Sequence, residues 1–200
     1  MRELIRDPFY EMIGGYKNCI IDYCIIEDDT PHQGKRSHID AILFAMLKVI
    51  ERYINEQLKE EVRFKRIEDG PFPWCLDIGK AKGKPIDALA LLHIPEIVRT
   101  NPVGQRFYDC PYPDPAKGDQ IPYWYAFWET PHPSGYGPDE FRKINAALFP
   151  AGTNALEVYE WSTDWSNYFE DGHEWWGTAC WSVYDRQLNR YVVILASTTD

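Results

Sequence analysis

Trp175-Trp-Gly-Thr-Ala-Cys-Trp-Ser-Val-Tyr184 and Arg190-Tyr-Val-Val-Ile-Leu-Ala-Ser197 flank Asp185-Arg-Gln-Leu-Asn189. Two short runs rich in β-branched and aromatic residues, separated by a turn-forming pentapeptide, read as a β-hairpin. A third strand is expected just before them, at about 155–162. Upstream, 18–27 (Asn-Cys-Ile-Ile-Asp-Tyr-Cys-Ile-Ile-Glu) follows Gly14-Gly15 and precedes Asp28-Asp29-Thr30-Pro31, so it reads as a largely buried strand.

One helix stands out. Ile39, Ile42, Leu43, Met46, Ile50, Tyr53, Ile54 and Leu58 recur at spacings of three and four, with Lys48, Glu51, Arg52, Glu56, Lys59 and Glu60 between them. That pattern predicts an amphipathic helix over 38–61, with Ser37 and Asp40 resembling a capping box. Val62–Ile67 alternates apolar and basic residues and is expected as an edge strand, broken by Gly70-Pro71-Phe72-Pro73. Short helices are expected at 85–92 and 95–99, a proline-rich loop at 100–120, an aromatic strand at 121–129, and a helix at 139–149. The sum is an α+β chain, read as a single domain over 1–200: an antiparallel, aromatic-rich sheet packed by one long and several short helices.

Bulk composition agrees with a globular protein. Two hundred residues can bury roughly 70% of their unfolded surface, so a core needs neither disulfide nor metal. At 44% hydrophobic and 26% charged, the chain is neither disordered nor fibrous. No apolar run approaches the roughly 20 residues of a membrane helix. Met1-Arg2-Glu3-Leu4-Ile5-Arg6-Asp7-Pro8 does not resemble a secretory signal. Five scattered cysteines suit reduced thiols, so a cytoplasmic location is expected. A net charge of −10 argues against a phosphate-backbone partner. No P-loop or G-x-G-x-x-G is present, so no nucleotide cofactor is expected.

The charge is concentrated. Residues 144–185 contain seven acids (Glu157, Glu160, Asp164, Glu170, Asp171, Glu174, Asp185), no Lys or Arg, and five of the eight tryptophans. Within that stretch, Trp161, Trp165, Tyr168, Trp175 and Trp176 interleave with Asp164, Glu170, Asp171, His173 and Glu174. One role for the rings is structural, since Trp and Tyr bury large areas and pin loops with their polar tips. A second is recognition: rings of this kind are enriched at binding hot spots, and an acidic rim steers a basic partner. In size, acidity and lack of motifs the chain resembles immunity proteins that neutralise bacterial toxins. That resemblance is one of style without an aligned motif, and it implies a non-enzymatic inhibitor of a basic protein. The third is a small hydrolase acting on a glycan, with Asp164 and Glu174 as paired carboxylates beneath sugar-stacking rings.

Other chemistry has thinner support. His132, His173 and Glu129 are candidate metal ligands, but their spacing forms no motif and no metal site is expected. Cys110 in Phe-Tyr-Asp-Cys-Pro is a nucleophile only if a histidine meets it, and Asp109 would raise its pKa. The leading expectation is a basic protein partner met by the 157–176 region.

Overall fold

In the computed structural model, β7 (Thr178–Asp185) and β8 (Arg190–Ser197) form the centre of a six-stranded antiparallel sheet. The structure describes residues 1–64, 74–114, 120–132, 134–173 and 176–198. The strand order is β1-β2-β8-β7-β6-β3, with β1 Arg2–Glu3, β2 Ile21–Glu27, β3 Gly83–Ile86 and β6 Leu156–Trp161. The hairpin closes because the Asp185 carboxylate accepts the Gln187 and Leu188 N–H groups. Asn189 takes the left-handed conformation at φ 48°, which asparagine tolerates, and accepts a bond from the Tyr184 hydroxyl.

Both sheet faces are covered, so the central strands are buried on both sides. Tyr191, Val193 and Leu195 of β8 face one core, built with Ala41, Ile42, Ala45, Met46 and Val49 of α2 (Lys35–Phe64). Val192, Ile194 and Ala196 face a second core with α1 (Pro8–Ile13), α3 (Ala88–Leu91), α4 (Tyr123–Trp128) and α5 (Pro138–Leu148). Arg190 ties the second layer together, donating to Asp7 at 2.5 Å and to the Leu148 carbonyl at 2.7 Å. The class is α+β, with one long helix on one face and short helices on the other.

Several local expectations are corrected. Helix α2 starts at Lys35, after Gly34 at φ +60°, so Ser37 lies inside the first turn and its hydroxyl accepts the Gln33 N–H. The helix also continues through Val62–Phe64, where an edge strand was expected; residues 65–73 lie outside the described residues. The 121–129 segment is a helix rather than a strand: Pro122 starts it, and Tyr123, Trp124, Phe127 and Trp128 bury on one side. Five aromatic residues among six satisfy either periodicity, and the tertiary contacts select the helix. Pro85 lies in β3, and the helix begins only after Asp87 caps it. β4 (Ile97–Thr100) pairs with β5 (Arg106–Tyr108) in a separate two-stranded ribbon, replacing an expected helical turn and part of a loop. No helix among the described residues is long and apolar enough to cross a membrane.

Candidate functional site

From the end of β6 the chain runs through a turn, the 3-10 segment Asn167–Phe169 and α6 (Glu170–His173) before entering β7. This acidic, aromatic segment is divided by burial. Trp161, Trp165 and Tyr168 pack into the core under α2, with Trp161 at 0% exposure. Trp176 packs into the opposite core and donates its indole N–H to the Glu129 carbonyl at 2.9 Å. These four rings are therefore corrected from a surface to an interior role: they offer no accessible face to a partner or a sugar. Asp164, Glu170, Asp171 and His173 are exposed, whereas Glu174 and Trp175 lie outside the described residues.

Hydrogen bonds tie this segment to the sheet. Tyr168 donates its hydroxyl to Asp22 at 2.8 Å, Thr163 bonds Thr178 at 2.9 Å, and His173 Nε2 lies 3.1 Å from the Thr163 hydroxyl. Gly172 fits directly against the sheet, since a Cβ there would lie 2.5 Å from Thr178 Cγ2 and 2.6 Å from the Gly177 carbonyl oxygen. Across from this segment, Asp77 donates its N–H to the Trp165 carbonyl at 2.7 Å, and Cys75 to the Asn167 side chain at 2.7 Å. The two strips enclose an open cleft of about 420 Å³ whose lining includes Asp77, Lys80, Asp164, Glu170 and His173.

The seven acids do not act alike. Asp185 is consumed in the hairpin turn, Glu160 pairs with Lys84 at 2.5 Å, and Glu157 pairs with Arg186 at 2.7 Å. Asp164, Glu170 and Asp171 make no ion pair among the described residues. The Ser162 hydroxyl, donating at 2.7 Å, holds the Asp164 carboxyl below its usual range, so it is ionised at neutral pH.

His132, His173 and Glu129 do not assemble. Glu129 accepts a hydrogen bond from the Tyr108 hydroxyl and faces Arg106 at 3.6 Å. Cys110 and His93 do line one broad cleft of about 1190 Å³. Burial and then the Asp109 charge push the Cys110 thiol up, which leaves it protonated and a poor nucleophile at neutral pH. All five cysteines are free.

A different cluster forms where the sequence offered no motif. His32, in the turn before α2, His38, in the first turns of α2, and Glu157, on β6, bring ligand-type atoms within 4.8 Å of one another. His32 Nε2 lies 3.2 Å and His38 Nε2 3.5 Å from the same oxygen, Glu157 Oε1. Each side chain is also held from behind. His32 Nδ1 is 2.8 Å from the Tyr191 hydroxyl, His38 Nδ1 is 2.8 Å from Ser182 Oγ, and Arg186 donates to Glu157 Oε2. Ser182 is itself fixed by the indole N–H of Trp161 at 2.8 Å. Burial pushes His38 down to about 4 against the opposing pull of Glu157, so its imidazole is neutral near pH 7. Burial favours a protonated Glu157, but hydrogen bonds from Arg186 and His32 outweigh it and keep the carboxyl below its ordinary range. The spacing His32-x5-His38 is visible in the sequence, yet nothing there connects it to Glu157.

The chain matches no protein-family model, no curated protein and no solved structure.

Proposed function

We infer that the protein is a non-enzymatic binding protein whose acidic rim, Asp164, Glu170 and Asp171, receives a basic protein partner. An immunity-type inhibitor of a toxin is the concrete form of this reading. The observation that carries it is the division within one segment: rings buried as a rigid footing, and carboxylates exposed and, among the described residues, without ion pairs, with Asp164 and Glu170 lining an open cleft. Charges presented this way raise the association rate of an oppositely charged partner and require no reorganisation on binding. The glycan-hydrolase reading has less behind it. Trp161, Trp165 and Trp176 expose no stacking face, and Asp164 is held as a carboxylate, whereas a general acid needs a raised pKa.

The test is capture from a lysate of the source organism at low and high salt, followed by association kinetics with the captured protein. A basic protein is expected to bind at low salt and to release at high salt. The triple variant Asp164→Asn, Glu170→Gln, Asp171→Asn should associate at least about tenfold more slowly with little change in stability. An unchanged association rate, or no basic protein retained at any salt, refutes the reading.

A further inference from the structure

We propose that His32, His38 and Glu157 form a binding site for a divalent first-row transition ion, with both imidazole Nε2 atoms and Glu157 Oε1 as its protein ligands. The inference is independent of the acidic rim.

The spacing suits an ion. Zinc-type bonds of about 2.0–2.1 Å at tetrahedral angles put neighbouring ligand atoms about 3.3–3.4 Å apart. The two nitrogens stand 3.2 and 3.5 Å from the shared carboxylate oxygen, so both oxygen–nitrogen edges match, and all three atoms lie within 4.8 Å of one another. Two imidazoles and one carboxylate favour zinc, iron, cobalt or nickel over magnesium or calcium, which prefer all-oxygen shells.

The cluster also has the outer support such sites require. A ligating histidine uses its second nitrogen to fix tautomer and ring orientation. When His38 Nδ1–H donates to Ser182 and His32 Nδ1–H donates to Tyr191, both Nε2 lone pairs point at the cluster. Ring packing locks the same directions: His32 stacks on Tyr184 at 3.9 Å with planes 10° apart. Arg186 occupies Glu157 Oε2 and leaves Oε1 as the ligand atom.

Two further observations point to a ligand. His38 is fully buried, and among the described residues its Nε2 has no hydrogen-bond partner, although it faces Glu157 Oε1 at 3.5 Å. A buried, unpartnered imidazole nitrogen is costly unless something completes it. His32 and Glu157 are 16% and 22% exposed, so an ion has a path from solvent and its remaining positions can be filled by water. A bound ion would clip the turn before α2 to the sheet through β6.

The competing state holds only a proton: Ser182 donates to His38 Nδ1, and Nε2–H points at Glu157. It takes up no ion, which makes the two states separable. Protein stripped with a chelator is titrated with Zn²⁺ by calorimetry and with Co²⁺ by visible absorption. The expected result is one ion per chain and the cobalt d–d bands of a low-coordinate nitrogen–oxygen site. His32→Phe, which keeps a ring against Tyr184, and Glu157→Gln should each weaken binding by more than about 100-fold. Circular dichroism confirms that each variant is folded, and two variants guard against one failing. The double variant His93→Asn, His173→Asn changes two exposed histidines outside the cluster and should bind as the wild type does. No uptake by the wild type, unchanged affinity in folded His32→Phe or Glu157→Gln, or loss of binding in the double variant overturns the proposal.

Discussion

Replacing Gly83 by alanine should destabilise the fold by about 2 kcal/mol, through one side chain. Gly83 lies on the edge strand β3, directly across from Trp161 on β6. A Cβ at this position would sit 2.6, 2.7 and 2.8 Å from three ring carbons of Trp161. Carbon atoms pack at about 3.5–4.0 Å, so the methyl is roughly 1 Å too close to a ring with 0% exposure. Either the ring moves, straining its hydrogen bond to Ser182, or β3 is pushed off the sheet edge along with the Lys35 bond to the Gly83 carbonyl. Overpacking of this kind costs about 1–3 kcal/mol, and three close contacts with a fully buried ring put it at the upper end. The smaller conformational entropy of an unfolded alanine offsets about 0.4–1 kcal/mol of that. For a chain of this length about 2 kcal/mol lowers Tm by roughly 4–8 °C. Urea denaturation followed by tryptophan fluorescence measures the change. Gly79→Ala is the control: among the described residues its Cβ would meet only the Asp77 side chain, at 3.4 Å, so it should cause no loss and keep the entropic gain of about 0.4–1 kcal/mol. A Gly83→Ala protein as stable as the wild type, or an equal loss in Gly79→Ala, would refute the packing argument.

Arg190→Met should cost about 3 kcal/mol, since it leaves the Asp7 carboxylate and the Leu148 carbonyl without their shared donor in a largely buried setting. Adding Asp7→Asn should restore part of that loss in denaturant unfolding, and a further loss would argue against the pair. Asp28 supplies a pH test. Burial works against its charge, but the Thr30 N–H and hydroxyl and the N-terminal ammonium prevail and lower its pKa. A depressed carboxyl stabilises above its unfolded pKa near 4, and that contribution disappears as pH falls through the lower folded value. Asp28→Asn should therefore be less stable than the wild type at pH 6 and converge with it at the acid end; a gap independent of pH from 6 to 2 counts against this assignment.

Legibility followed the range over which each signal acts. The β7–β8 hairpin and α2 were readable because apolar spacing along a few turns or residues already encodes a buried face. The 121–129 segment was misread because a six-residue aromatic run fits two periods, and only packing against Phe141 and Trp181 distinguishes them. β4 was missed for the opposite reason: all four of its residues are exposed, so no alternation marks it. In the acidic segment, position along the chain was clear but depth was not. Nothing local states that Trp161 and Trp165 point under α2 while Trp176 points to the other layer.

Sequence alone determined the class, the two principal elements and the place where negative charge accumulates, since these depend on neighbours a few residues apart. Tertiary structure decided which acids remain unpaired and brought His32 to Glu157 across a separation of 125 residues. That meeting depends on strand order, which puts β6 beside β7 with α2 laid over the sheet. Strand order is set by the joint burial of two cores, a property of the whole chain that no segment carries by itself.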